Sequence, residues 1–253
     1  MPVDLQQLVA YTDNLLQAER FADYCPNGLQ VQGRSQVERI VSGVTACQPL
    51  LDAAAELGAD LVLVHHGFFW RGEAQPVVGM KRRRLGRLLL HDISLLAYHL
   101  PLDAHPELGN NAQLGELLGI LDQQPLDAGN PEGVGCIGSL PAPLPAAALV
   151  AQLATLTGRA PLHIGDSAAP VQRIAWCTGA AQSYIGAAVA AGADLFLTGE
   201  VSEQTVHIAR EEGLQFIAAG HHATERYGVQ ALGAHLAARF GLEHRFVDID
   251  NPA

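Results

Sequence analysis

A segment of this chain occurs twice, 134 residues apart, and this repeat limits the choice of fold. Residues 39–66 and residues 173–200 align without a gap and are identical at 11 of 28 positions. The run Gly58-Ala59-Asp60-Leu61 returns as Gly192-Ala193-Asp194-Leu195. Chains with internal repeats build one structural unit per copy. We therefore expect two similar halves produced by duplication, one over residues 1–128 and one over residues 129–253.

Each copy predicts a strand, a helix of small residues and a second, apolar strand. The first strand covers Arg39 to Val44 in one copy and Arg173 to Cys177 in the other. Gly58 and Gly192 are expected to end the two helices, since glycine is favoured just past a helix C-terminus. Apolar strands joined through a helix indicate parallel pairing. The predicted fold class is α/β, with mostly parallel or mixed sheets and a site shared by the two halves.

Outside the two copies, the pattern predicts a helix over Asp4 to Arg20, a helix over Ala223 to Leu236 and an extended segment over His244 to Ile249. The stretch from Pro125 to Pro145 is rich in proline and glycine, which favours a connection between the halves. Residues 133–138 could still form a strand within it.

Composition excludes several classes of protein. Hydrophobic residues make up 49% of the 253 residues, which argues against disorder. No run approaches the roughly 20 apolar residues of a membrane span, and the N-terminus is unlike a secretory signal, so a cytoplasmic protein is expected. A net charge of −11 makes DNA binding unlikely. The widely spaced cysteines argue against a disulfide scaffold and a thiolate zinc site; they are Cys25, Cys47, Cys136 and Cys177.

Two histidine pairs follow apolar runs that resemble buried strands. The pairs are His65-His66 and His221-His222. Ligands of α/β proteins gather at the carboxyl ends of strands. Adjacent strand residues point to opposite faces, so both members of a pair reach one site only where the strand has turned. Gly67 makes such a turn easy after the first pair.

A carboxylate follows a histidine by four residues in both halves. Asp103 follows His99, and Glu225 follows His221. Because Pro101 disfavours a helix before it, Asp103 is expected on a loop at a strand end. On a helix, His221 and Glu225 would share one face.

Imidazoles and carboxylates together suit iron, zinc, manganese or nickel. Five candidates exceed the three protein ligands of a catalytic zinc, so the set predicts two divalent metal ions per chain. The predicted ligands are His65, His66, Asp103, His221 and Glu225. His99 and Glu200 are candidate partners for the ligand imidazoles. His99 and His222 are also candidate proton shuttles.

A basic run lies where the first copy is longer than the second. It contains Lys81, Arg82, Arg83, Arg84 and Arg87. Two interpretations remain open: a solvated helix face, and a site for the phosphates of a nucleotide or for an acidic neighbouring subunit. The chain has neither a P-loop motif nor a Rossmann glycine motif after a strand.

Several short motifs, in order along nearly the whole chain, resemble the NIF-three-like family of dinuclear-metal proteins, which is often labelled GTP cyclohydrolase 1 type 2 homolog. The matching stretches are residues 26–31, 64–70, 99–103, 109–111, 198–200 and 220–225. The chain lacks the middle domain of longer relatives and is similar to the short bacterial form.

The resemblance implies that the same five residues hold two metal ions and that the chain forms a ring-shaped homohexamer. It also implies a metal-dependent hydrolase that opens the guanine imidazole ring of a purine nucleotide. A non-catalytic metal-binding protein, serving storage, delivery or binding of a partner or DNA, is the alternative, because a ligand set does not by itself imply turnover.

Overall fold

The structure, a computed structural model, describes residues 2–127 and 133–253. The chain divides into two compact units. Unit 1 comprises Met1–Leu102 and Gly228–Ile249, and unit 2 comprises Asp103–Tyr227 and Asp250–Ala253. The predicted boundary between residues 128 and 129 lies outside the described residues. Among the helices of the described residues, none has both the length and the apolar character needed to cross a bilayer.

Unit 1 contains a five-stranded sheet with the order β13-β4-β5-β6-β2, and a two-stranded β1-β3 ribbon. Strands β13, β4, β5 and β6 are parallel, and β2 is antiparallel to β6. Its elements in chain order, with the helices that cross its boundary, are β1 (Val3–Asp4), α1 (Leu5–Leu16), β2 (Gly28–Val31), β3 (Gln36–Val37), β4 (Arg39–Thr45), α2 (Gln48–Glu56), β5 (Leu61–His66), α3 (Gly79–Leu90), β6 (Ser94–Ala97), α4 (Leu100–Ala104), α10 (Arg226–Phe240) and β13 (Glu243–Phe246).

Unit 2 contains a six-stranded mixed sheet with the order β7-β8-β10-β11-β12-β9. Strands β10, β11 and β12 are parallel, and β9 is antiparallel to β12. Its elements are α5 (Asn110–Leu117), β7 (Leu121–Pro125), β8 (Cys136–Pro145), α6 (Ala146–Thr157), β9 (Leu162–Ile164), β10 (Pro170–Cys177), α7 (Ile185–Ala190), β11 (Leu195–Thr198), α8 (Glu203–Glu212), β12 (Gln215–Ala218) and α9 (His221–Thr224).

The two units share a central motif of three parallel strands with an antiparallel edge strand beside the third. This confirms the predicted α/β class with parallel and mixed sheets. The strands predicted within the two copies are β4 and β5, and β10 and β11. Gly58 and Gly192 lie just past helices α2 and α7 with φ of 65° and 68°, the left-handed conformation predicted for them.

The repeated aspartates have the same structural role in both units. The carboxylate of Asp60 accepts the backbone N–H groups of Glu38 and Arg39 at 2.8 and 2.9 Å. That of Asp194 accepts the N–H groups of Gln172 and Arg173 at 2.9 and 2.8 Å. These bonds satisfy backbone donors beside β4 and within β10. The most similar part of the repeat therefore builds the scaffold and supplies no metal ligand.

Each unit has its own apolar core. In unit 1, the buried faces of β4, β5 and β6 pack with α2, and in unit 2 those of β10, β11 and β12 pack with α6. The largest fully buried side chains include Trp176, Tyr98, Phe196 and Phe216. Burying one such side chain stabilises the fold by about 2–3 kcal/mol. Both sheets are therefore well packed, and residues at the carboxyl ends of their strands are held in defined positions.

Four predicted details are wrong. Asp103 lies in helix α4 rather than on a loop, since Pro101 occupies the first turn, where the missing N–H costs nothing. The helix predicted from Ala223 to Leu236 is two helices, α9 and α10, separated at Glu225. The stretch from Pro125 to Pro145 is a connection only in part, because Cys136–Pro145 forms strand β8, which contains part of the strand left open over residues 133–138 and continues beyond it. The N-terminal helix α1 ends at Leu16, and a 3₁₀ turn follows.

Candidate metal centre

The first histidine pair lies at the carboxyl end of β5 in unit 1. The rings of His65 and His66 have centroids 4.5 Å apart although both residues still lie within β5, so their side chains come together at the strand end. Gly67 is necessary at this position, because a Cβ there would overlap the side chains of Gln30 and Ala97. His65 is fully buried. The structure therefore shows that Gly67 is needed for space, and the turn predicted from its backbone freedom stays a prediction.

Hydrogen bonds orient both rings. His65 Nδ1 lies 2.9 Å from the carbonyl oxygen of Tyr98, which only accepts, so Nδ1 carries the proton and Nε2 carries the lone pair. His66 Nδ1 lies 3.1 Å from the hydroxyl of Thr45 on the neighbouring strand. Metal-binding histidines are commonly held in this way through the nitrogen that does not bind the metal.

His99 joins this pair just after β6. Its ring centroid is 5.0 Å from that of His65 and 5.7 Å from that of His66. The three side chains offer nitrogen atoms within 4.8 Å of one another, a cluster that could hold a metal ion. His99 differs from the pair in its partner, because its Nδ1 lies 3.0 Å from the carboxylate of Asp23.

Asp23 is a site residue that the sequence reasoning missed. Its side chain is only 2% exposed, and it also accepts the amide of Asn27 and the N–H of Leu100, each at 3.0 Å. Burial by itself would raise the pKa of Asp23, but these bonds and the charge of His99 outweigh it and lower the pKa to about 2. Asp23 is therefore an ionised anchor for His99.

Two donors of unit 2 lie at the break between α9 and α10. His221 is the first residue of α9, and Glu225 separates the two helices. His221 Nε2 lies 3.1 Å from the Glu225 carboxylate, and its Nδ1 lies 2.7 Å from Glu200, the predicted partner. Burial lowers the pKa of His221, but the two carboxylates outweigh it and raise the pKa to about 9. A cation that binds His221 Nε2 must therefore displace a proton.

Gly179 leaves space for the Glu225 carboxylate, because glycine has no side chain. A Cβ on Gly179 would overlap Glu225 Oε1 and would lie 3.3 Å from His221 Nε2. Gly179 has φ of 69°, and its N–H donates to the hydroxyl of Thr224 at 3.0 Å. The repeat aligns Gly179 with Thr45, so a glycine two residues after the first strand of the second copy was the sequence signal for this cradle.

Asp103 is the second buried carboxylate of unit 2. It is 7% exposed and accepts the Asn110 amide at 2.9 Å. Asn111 donates to the Asp103 carbonyl at 3.3 Å and accepts the indole N–H of Trp176 on its own carbonyl at 2.9 Å. Asp103 and Glu225 offer oxygen atoms within 4.8 Å of each other. Two carboxylates this close attract a divalent cation.

The remaining predicted groups are not among the candidate metal ligands found in the described residues. His222 is 9% exposed, and among the described residues it joins no cluster of candidate ligands. The basic run forms helix α3, on which Arg82 and Arg83 are exposed to solvent. Arg87 pairs with Asp52 at 2.9 Å. Neither observation distinguishes the two interpretations of the basic run.

Comparison with known proteins places this architecture in a family. The family model Duf34/NIF3 (NGG1p interacting factor 3) matches residues 3–252. A protein of Pseudomonas aeruginosa named GTP cyclohydrolase 1 type 2 homolog is 61% identical over 253 residues, which is 100% of both chains. The protein of that name from Escherichia coli K12 is 53% identical, covering 99% of this chain and 98% of the relative.

Solved structures agree with these relatives. The structural-genomics protein ybgI, of unknown function, has a TM-score of 0.95 at 51% identity over 99% of this chain and 100% of its own. TTHA1606 from Thermus thermophilus has a TM-score of 0.89 at 39% identity, with coverage of 99% and 100%. Reduced HcgD from Methanocaldococcus jannaschii shares the fold, with a TM-score of 0.83 at 20% identity over 99% of this chain and 99% of its own. The chain belongs to the Duf34/NIF3 family.

Proposed function

We propose that the five residues predicted from the sequence bind two divalent metal ions, and that the protein is a metal-dependent hydrolase acting on a purine nucleotide. The proposed ligands are His65, His66, Asp103, His221 and Glu225. The name shared by the relatives, GTP cyclohydrolase 1 type 2 homolog, supports guanine as the base that is opened.

The observation that carries the proposal is the arrangement of donors within each unit. In unit 1, the bond to Tyr98 leaves the lone pair of His65 on Nε2, where a cation can use it. In unit 2, Asp103 and Glu225 are less than 10% exposed and within 4.8 Å of each other. Burying like charges together is costly unless a cation compensates them. Neutral imidazole and ionised carboxylate are the forms that bind iron, zinc, manganese or nickel.

A pair of divalent cations would polarise a substrate oxygen and lower the pKa of bound water. The chain supplies the groups that move protons during the reaction. In the proposed reaction, one water adds to C8 of guanine and the C8–N9 bond breaks, which leaves C8 as a formamide on N7. A second water then hydrolyses the C8–N7 bond and releases formate and a free amine. His99, oriented by Asp23, accepts or donates a proton, and His222 is the second candidate for this role.

The experiment combines elemental analysis with a formate assay. Protein loaded separately with each candidate metal is incubated with GTP, and formate is measured against metal-free protein. About two metal ions per chain and formate above the control are expected. No formate with any of the four metals would refute the hydrolase and leave a non-catalytic metal-binding protein. Retention of both metals by His221→Ala would refute the ligand assignment.

A further inference from the structure

Two buried threonines of unit 2, at the ends of neighbouring parallel strands, use their hydroxyls differently. Thr198, the last residue of β11, is fully buried and donates its hydroxyl to the Gly179 carbonyl at 3.1 Å. Thr178 follows the last residue of β10 and is 6% exposed. Among the described residues, the Thr178 hydroxyl oxygen has no hydrogen-bond partner.

The Thr178 hydroxyl is therefore expected to destabilise the fold, because it bonds no group in the described part of the chain. A buried hydroxyl without a partner has lost its bonds to water and gained none in exchange. Packing does not require it, because the first copy of the repeat has Val44 at the equivalent position, 2% exposed. Valine has nearly the same shape as threonine and would remove the unsatisfied oxygen.

Neighbouring residues link Thr178 to both buried acids of unit 2, Asp103 and Glu225. Its N–H donates to the Asn111 side chain at 2.9 Å, and Asn111 in turn contacts the Asp103 backbone. The next residue, Gly179, is the glycine against Glu225. The preceding thiol of Cys177 has a raised pKa, first because of burial and then because of the charges of Asp103 and Glu225.

We propose that the Thr178 hydroxyl hydrogen-bonds an oxygen ligand of the cation bound by Asp103 and Glu225, and thereby strengthens metal binding. This inference rests on the metal binding proposed above. A hydroxyl can donate to a carboxylate oxygen or to a water molecule that a bound cation would hold. Partners of this kind usually change metal affinity by about 10–100-fold.

The test compares Thr178→Val with Thr178→Ser, which retains the hydroxyl, and with Thr198→Val, which removes a hydroxyl that has a partner. In metal-free protein, Thr178→Val should melt at the wild-type temperature or about 2–4 °C above it, whereas Thr198→Val should melt below it. Titration with Zn²⁺ alone should show at least roughly tenfold weaker binding for Thr178→Val, and near wild-type binding for Thr178→Ser.

Two outcomes would overturn the inference. A lower melting temperature of metal-free Thr178→Val would show that the hydroxyl already stabilises the chain. Unchanged Zn²⁺ affinity of Thr178→Val, in a wild-type protein that binds Zn²⁺, would remove Thr178 and leave the metal centre intact. Failure of the wild type to bind any metal would instead refute the centre itself. Thr178→Ala, which also lacks the hydroxyl, replaces the valine variant in both measurements if that variant does not fold.

Discussion

The strand ends of unit 1 and unit 2 have similar backbones and different chemistry. Unit 1 presents the imidazoles of His65 and His66, held by the neutral oxygens of Tyr98 and Thr45. Unit 2 presents carboxylates around a single imidazole, that of His221. A repeated βαβ scaffold therefore supports two donor sets, one rich in nitrogen and one rich in charged oxygen. The backbone scaffold determines the positions of the donor side chains. The residue types at those positions determine whether the donor atoms are nitrogen or oxygen.

The repeat shows where this divergence occurred. The 134-residue offset aligns His66 with Glu200, and the later offset of 122 aligns His99 with His221. His99 and His221 each bond a carboxylate through Nδ1. The carboxylate belongs to Asp23 for His99 in unit 1 and to Glu200 for His221 in unit 2. The Nδ1–carboxylate bond is thus common to the two units even though its acid comes from different places in the chain.

The largest expected effect tests the difference in charge. Glu225→Gln removes a negative charge and a proposed ligand, whereas His65→Gln removes only a neutral ligand. Because a divalent cation is attracted mainly by charge, Glu225→Gln should weaken metal binding more than His65→Gln, and by more than the roughly 100-fold effect of losing a supporting partner. Competition with a chelator measures both affinities, and Glu212→Gln, an exposed acid, is the control. Equal losses in the two variants would contradict the comparison.

The next effect concerns the cradle of Glu225. Gly179→Ala places a Cβ against Glu225 and also puts alanine in a conformation with positive φ. Gly192 has a similar φ, 68°, but a Cβ added there would meet no other atom, so Gly192→Ala tests the backbone effect alone. Both changes should cost about 1 kcal/mol for the backbone, and Gly179→Ala about 1–3 kcal/mol more for overpacking. Urea unfolding of metal-free protein measures the difference. Equal destabilisation by the two alanines would mean that Glu225 does not need this glycine.

The smallest expected effect concerns the anchor of His99. The pKa of Asp23 is lowered from 3.8 to about 2, so ionised Asp23 stabilises the fold by about 2 kcal/mol above pH 4. This contribution is lost as pH falls through the folded-state pKa. Asp23→Asn should therefore be less stable than the wild type by about 2 kcal/mol at pH 6, and the gap should close towards pH 2.

Chemical unfolding over this pH range measures the gap for Asp23→Asn. Glu56→Gln, at an exposed position on α2, is the control and should show no such gap. A difference between Asp23→Asn and wild type that stays constant from pH 6 to pH 2.5 would show that the carboxylate charge does not stabilise His99.

Much of the fold was predictable because it depends on local patterns. The repeat, the apolar strands and the glycines after α2 and α7 each reflect a preference of a few neighbouring residues, and the α/β class followed from them. The helical position of Asp103 does not follow from the local pattern, because Pro101 disfavours a helix before it and yet fits the first turn of one. The break at Glu225 was missed, because the helical pattern continues across it and only tertiary contacts interrupt it.

By itself, the sequence determined the α/β class, the strand-end positions of the histidine pairs and the family. Spacing and composition carry that information along the chain. Only the tertiary structure decided that Asp23 anchors His99, that Gly179 makes room for Glu225 and that the buried Thr178 hydroxyl has no partner among the described residues. Asp23 and His99 are 76 residues apart, and Gly179 and Glu225 are 46 apart. Contacts over such separations depend on how strands and loops pack, which no local pattern encodes.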